Sequence, residues 1–197
     1  MKAARLAHLL THPRYTARQD DATRRSCKRR DEPWIAQGAV RFCEQNLHRS
    51  MSAIEMGSGR STSWFAARVG KLTSIEHEAR WYETVRARIA RLPNVTYRHI
   101  PLDHPAEEGT RPHYDPLPRY VRAFSEFPDA ALDFVVIDGH YRQACVLAAV
   151  PKLRSGGLLL VDNTDRLPLP EWGVPSAWPV VHQSENVMGQ TTIWRKG

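Results

Sequence analysis

Long apolar runs are missing from this chain of 197 residues. No stretch suits a membrane span or the core of a secretory signal, so the expected setting is the cytoplasm, with no transmembrane segment. Cysteine is scarce: Cys27, Cys43 and Cys145 are odd in number and far apart. That excludes a disulfide framework and any C-x-x-C metal or redox pair, and the three read as buried or incidental thiols. The chain contains no G-x-x-x-x-G-K-[ST] sequence, which removes a triphosphate cradle of that type. No internal repeat is visible. Residues 1–18 contain no acidic side chain.

What is present fits one globular domain. Apolar residues make up 42% and aromatics 9%, enough for a sizeable core. The net charge of +7 is unevenly placed: residues 1–30 hold nine Lys and Arg against two Asp, and residues 31–197 hold nineteen against nineteen. The expectation is a basic N-terminal arm over 1–30 and a single neutral domain over 31–197. For the arm two readings stay open. Arg24, Arg25, Lys28, Arg29 and Arg30 suit a nucleic acid or another anionic surface, whereas terminal charge blocks are more commonly solvated, partly disordered segments.

From residue 32 the pattern alternates between helix and strand. Trp34, Ile35, Ala39, Val40, Phe42 and Cys43 predict a helix within 32–47 that caps one end of a sheet. Strands are predicted over 53–56, 72–76, 95–100, 132–137 and 158–161. A helix at 63–69 follows the first of them. Another carries Trp81, Val85, Ile89 and Leu92 on its core face, and a third runs over 142–153 with Gly156 and Gly157 as its stop. Residues 104–130, rich in Pro, His and charge, read as an insertion with a short helix near 120–127; it either shapes a pocket or decorates the surface. Segments 180–184 and 191–194 flank Met188 and Gly189 as a hairpin. The fold expected is α/β, a doubly wound Rossmann-like sheet, mostly parallel, with an antiparallel C-terminal hairpin strand. Trp34 and Trp64 are expected in the core.

The sharpest local signal is Glu55-Met-Gly57-Ser58-Gly59-Arg-Ser61-Thr62, with Glu76 closing the next apolar run. Strand, glycine turn, helix and a second strand ending in a carboxylate hold a nucleoside in such sheets. Gly57 permits the sharp turn, and Gly59 lets the backbone approach a ligand. Glu76 suits both hydroxyls of a ribose. Ligands bind beyond the carboxyl ends of the strands, and Glu55, Glu76, His77, Asp103, Asp138, His140, Asp162 and Asn163 all fall there. An adenosine-containing cofactor is the expectation.

Together E-M-G-S-G-R-S-T, S-I-E-H, D-F-V-V-I-D-G-H and G-G-L-L-L-V-D-N resemble the motifs of class I S-adenosylmethionine-dependent methyltransferases, from about Trp34 onward. The resemblance implies a cofactor site of Glu55, Gly57, Ser58, Gly59, Ser61, Glu76, His77, Asp103 and Asp138. In it Glu55, Gly57 and Gly59 line the methionine portion, and Asp103 lies near the adenine amino group. A narrower resemblance to catechol-type O-methyltransferases implies Mg2+ on Asp138, Asp162 and Asn163; the alternative is a metal-free site in which Asp138 is a cofactor-side or turn carboxylate and Asp162 and Asn163 cap the loop that leaves the strand. Where that family carries a lysine base, this chain reads Asp138-Gly139-His140-Tyr141-Arg142, leaving His140 as base and Asp138 as its catalytic neighbour. The implied reaction is transfer of a methyl group to a hydroxyl, or less readily a nitrogen, of a small-molecule acceptor. Two rivals remain: an NAD-binding oxidoreductase, disfavoured because Thr62 stands at the third fingerprint glycine, and a methyltransferase-like domain that binds without turnover.

Overall fold

The computed structural model describes residues 32–104 and 110–197. The basic arm expected over 1–30 and Cys27 lie outside these residues. Among those described, seven strands form one sheet in the order β3-β2-β1-β4-β5-β7-β6. The strands are β1 (Ser52–Met56), β2 (Lys71–Glu76), β3 (Val95–His99), β4 (Leu132–Ile137), β5 (Leu153–Asp162), β6 (Val180–Glu185) and β7 (Gln190–Arg195). β1 to β5 pair in parallel, and β7 runs antiparallel to both β5 and β6. The doubly wound sheet and the reversed C-terminal pair are as the sequence implied. Among the described residues no helix is long and apolar enough to cross a membrane.

Both faces of the sheet are covered, which is why its central strands read as unbroken apolar runs. Helices α1 (Gln37–Asn46), α2 (Arg60–Ala66) and α3 (Ala79–Ile89) lie on one face. There Ala39, Val40, Cys43, Trp64 and Phe65 pack against Ala53, Phe134, Val136, Leu158 and Leu160. On the other face, α4 (Arg119–Arg122), the 3-10 turn Ala123–Glu126 and α5 (Arg142–Ala149) bury Tyr120, Phe124, Cys145 and Val146. Their counterparts are the alternate strand residues Ile54, Met56, Val135, Ile137, Leu159 and Val161. The central strands β1, β4 and β5 thus send successive side chains into two separate cores. Cys43 and Cys145 are free and buried, and burial holds both thiols well above their ordinary pKa.

Three local readings are corrected. The helix expected over 142–153 ends at Ala149, and Gly156 and Gly157 lie inside β5 rather than stopping a helix. Gly156 has φ +77° and donates its N–H to the Lys196 carbonyl at 2.8 Å, where the pairing with β4 slips register between Leu132 and Phe134. A glycine at a strand irregularity and one at a helix terminus meet the same need for positive φ. Trp34 is 58% exposed, its ring beneath the Arg60 guanidinium at 4.8 Å, so of these two expected core residues Trp64 alone is buried. Trp81 does not share the buried face of Val85 and Ile89; it is 36% exposed.

Strand order reverses between β1 and β4, so the chain leaves these neighbours in opposite directions and a crevice opens at their carboxyl ends. At its floor Gly57, with φ +96°, presses against Gly139: a Cβ on Gly57 would lie 2.7 Å from Gly139 Cα and N. Backbone on both sides leaves nothing that can yield. Gly57→Ala is therefore expected to lose about 1–3 kcal/mol of stability, read from urea denaturation. A variant as stable as the parent would refute this close contact.

Candidate active site

Three strand tips meet at this crevice. The chain leaves β1 through Gly57 and Ser58, β2 through Glu76, His77 and Glu78, and β4 through Asp138 and Gly139. These residues and Trp81 line a cleft of about 400 Å³, a size that suits a nucleoside-sized ligand.

Glu76 organises one wall. It is 2% exposed, and its carboxylate gathers four donors. Oε2 accepts from the Ser58 N–H at 3.0 Å and the Ser58 hydroxyl at 2.7 Å, while Oε1 accepts from the N–H groups of His77 at 2.8 Å and Glu78 at 2.9 Å. The Trp81 indole N–H donates to the Ser58 carbonyl at 2.8 Å, and the Tyr97 hydroxyl lies 2.6 Å from that of Ser58. The glycine loop is thereby tied to β2, β3 and α3. Glu78 caps α3 by accepting from the N–H groups of Arg80 and Trp81, which lower its pKa.

Glu55 lies behind this loop rather than on the cleft wall. It is fully buried, and its carboxylate accepts from the hydroxyls of Ser61, Thr62 (2.7 Å) and Ser74 (2.6 Å). Thr62 in turn accepts from the Gly59 N–H at 3.0 Å. Burial raises the Glu55 carboxyl to about 7, against the pull of the three hydroxyls. Glu55 and Ser61, both expected to touch a cofactor, thus bond to each other and brace the turn. Gly59 faces open space: a Cβ there would meet nothing closer than the Ser61 hydroxyl at 3.8 Å.

Asp103 stands apart, with its carboxylate on the Arg119 N–H at 2.7 Å and on Arg119 Nε at 2.8 Å, contacts that lower its pKa. His77 and His140 face each other with ring centroids 4.5 Å apart, and His77 Nδ1 is 3.2 Å from Glu76 Oε1. Burial, then the charges of His77 and Arg142, lower the His140 pKa. That ring is neutral at physiological pH and able to accept a proton.

The residues expected to hold Mg2+ are engaged otherwise. The Arg142 guanidinium bonds Asp138 Oδ1 at 3.1 Å and Asn163 Oδ1 at 2.7 Å, and it takes the Asp162 backbone carbonyl at 2.5 Å. The Asp162 carboxylate turns to the Thr191 hydroxyl, joining β5 to β7. Burial raises the pKa of both Asp138 and Asp162, with Asp162 adding to the effect on Asp138. Among the described residues no group of three or more His, Cys, Asp and Glu is arranged for a metal ion. A divalent ion does not fit this set while the guanidinium holds its oxygens.

For a cationic adenosine ligand the fit is better: the cleft offers Glu76, Glu78 and Asp138, the Trp81 side chain and the glycine backbone of Gly57 and Gly139. Three participants, Trp81, Glu78 and Arg142, are not expected at the site from the sequence, which assigns Trp81 to a core face. Trp81 and Glu78 follow the tip of β2 by a few residues, and the first turn of a helix in that position lies at the same sheet edge. Arg142 is four residues past Asp138, a spacing that brings a long basic side chain back to the strand end.

Comparison with known proteins agrees with the architecture. Residues 54–164, more than half of the chain, match a family described as a methyltransferase domain. The chain belongs to that family, and its doubly wound sheet with a reversed C-terminal strand pair agrees with the assignment. No curated protein matches it in sequence. Among solved structures, an rRNA methylase from Streptococcus thermophilus is similar at TM-score 0.56 and 9% identity, covering 83% of this chain and 99% of its own. A methyltransferase-like protein from Silicibacter pomeroyi gives 0.54 and 20%, covering 85% and 90%. A candidate methyltransferase from Streptococcus mutans, in complex with SAH, gives 0.54 and 13%, covering 80% and 94%.

Glu55 makes folding pH-dependent. Its carboxyl ionises near 4.5 ordinarily and near 7 when buried, so between these values the folded state keeps a proton that the unfolded chain has released. Its contribution is complete below the lower value and is lost as pH rises through the upper one. Glu55→Gln is expected to remove a share on the order of 1–3 kcal/mol from the fall in stability across this window, followed by denaturation at several pH values. An undiminished fall would count against the buried, protonated carboxyl.

Proposed function

We propose that the cleft binds S-adenosylmethionine and that the protein methylates a hydroxyl of a small-molecule acceptor. The observation that carries this reading is the Glu76 wall: a buried carboxylate at the tip of β2, beside glycine backbone, in a cleft of about 400 Å³. Glu76 holds the ribose hydroxyls, exchanging the Ser58 hydroxyl for one of them. His77 and Trp81 flank the adenosine, and Gly57, Ser58 and Gly59 present their backbone to the methionine portion, with Glu55 and Ser61 bracing them. When bound, the cofactor supplies a methyl group on a positively charged sulfur.

His140 accepts the acceptor's proton, which its lowered pKa allows by keeping the ring unprotonated. Asp138, anchored on Arg142, faces the same cleft and orients the reacting groups, and much of the rate comes from holding donor and acceptor in line. Asp103, paired with Arg119, shapes the adenine end through the segment that precedes α4. The activity resides in the domain from residue 31 onward, in a cytoplasmic setting, with residues 1–30 as a separate basic arm.

Glu76→Ala is expected to weaken S-adenosylmethionine binding by roughly tenfold to a hundredfold in calorimetric titration; unchanged affinity would remove the ribose assignment. His140→Ala is expected to lower kcat by about a hundredfold or more while cofactor affinity stays the same. The acid limb of kcat in the parent should fall below pH 6.5, the ordinary histidine value, because activity is lost only when the ring becomes protonated. The acceptor is sought by following S-adenosylhomocysteine release over a panel of hydroxylated compounds. Turnover confined to RNA would overturn the small-molecule acceptor.

A further inference from the structure

Arg142 opens α5 and is 7% exposed. A guanidinium carries five N–H donors in a rigid plane, and each of the five has an oxygen here. Nε donates to the Gly139 carbonyl at 2.9 Å. Nη1 donates to the Asp162 carbonyl and to Asn163 Oδ1, and Nη2 to the Asp138 carbonyl at 3.0 Å and to Asp138 Oδ1. Three backbone carbonyls, one carboxylate and one amide oxygen, all from the tips of β4 and β5, therefore converge on one positive charge. Hard oxygens gathered from two strand ends are the donor set of a divalent cation. The cation found among them belongs to the chain itself.

We propose that Arg142 is a built-in replacement for a divalent ion: its guanidinium ties the tips of β4 and β5 together, neutralises Asp138, and makes the site independent of metal. Arg142 has no donor left for a ligand, so it acts as a positioning residue, setting the angle at which Asp138 and His140 meet the cleft. A metal could enter only by expelling the guanidinium from five bonds, three of them to the backbone, and the two cations could not share the site. Arg166 lies within electrostatic reach of Asp138 and Asp162 and adds to that repulsion. Without a metal to acidify the acceptor, proton removal falls to a side chain, which deepens the role proposed for His140.

The test uses Mn2+ as probe and does not depend on turnover, so it stands or falls separately from the proposed reaction. The parent protein is expected to show no Mn2+ binding at millimolar concentrations and a Tm indifferent to chelator or Mg2+. Arg142→Ala uncovers the five oxygens and leaves Asp138 uncompensated. It should lose stability, bind Mn2+ at least about tenfold more tightly than the parent, and regain part of its Tm when Mn2+ is added. Arg142→Lys, which keeps a cation, should remain insensitive to metal. Stoichiometric Mn2+ binding by the parent that Asp138→Asn abolishes would overturn the proposal, as would a folded Arg142→Ala with no gain in Mn2+ affinity. If the alanine variant does not fold, titration of the parent and of Arg142→Lys decides: binding by either refutes, and binding by neither supports.

Discussion

The contact on which the site depends is between two pieces of backbone. Gly57 at the end of β1 and Gly139 after β4 approach so closely that a Cβ on Gly57 would fall 2.7 Å from Gly139 Cα. This contact closes the floor where the strand order reverses, and it sets Asp138 beside the loop that carries Ser58. Any side chain at Gly57 would pry the two tips apart, and with them the groups that face the cleft.

Around that floor the chain buries charge in three ways. Glu55 is fully buried among hydroxyls, with a pKa raised to about 7, and so exchanges its charge for a proton. Glu76 stays surrounded by N–H groups and the Ser58 hydroxyl, an arrangement of charge-assisted bonds that also fixes the loop. Asp138 shares a guanidinium with four other oxygens. Each solution satisfies the rule that a buried charge must be paired or removed. Together they hold the cleft in shape before any ligand arrives, the preorganisation that catalysis by positioning requires.

Much of this was legible in the sequence, and the limits have physical causes. Strands with both faces buried are continuous apolar runs, so β4 was read to the residue from Leu132 to Ile137. The glycine turn and Glu76 were readable because a sharp bend and a carboxylate at a strand tip need particular residue types. Gly156 misled because a helix end and a strand irregularity share the demand for positive φ, and only pairing with β4 and the Lys196 carbonyl tells them apart. Trp81 kept the helical spacing of Val85 and Ile89, yet it sits in the first turn, where α3 overhangs the cleft. Arg142 was unreadable as a hub because its partners come from two strands, twenty residues apart for Asp162. Spacing alone placed three oxygen-bearing residues together at a sheet edge; only the folded geometry shows what lies between them.

The central claim is that this crevice is built for S-adenosylmethionine and the S-adenosylhomocysteine it leaves behind. Parallel calorimetric titrations of the whole chain with S-adenosylmethionine, S-adenosylhomocysteine and NAD address it most directly. The account predicts one-to-one binding of the first two and none of NAD. Binding of NAD in preference, or of none of the three, would contradict it.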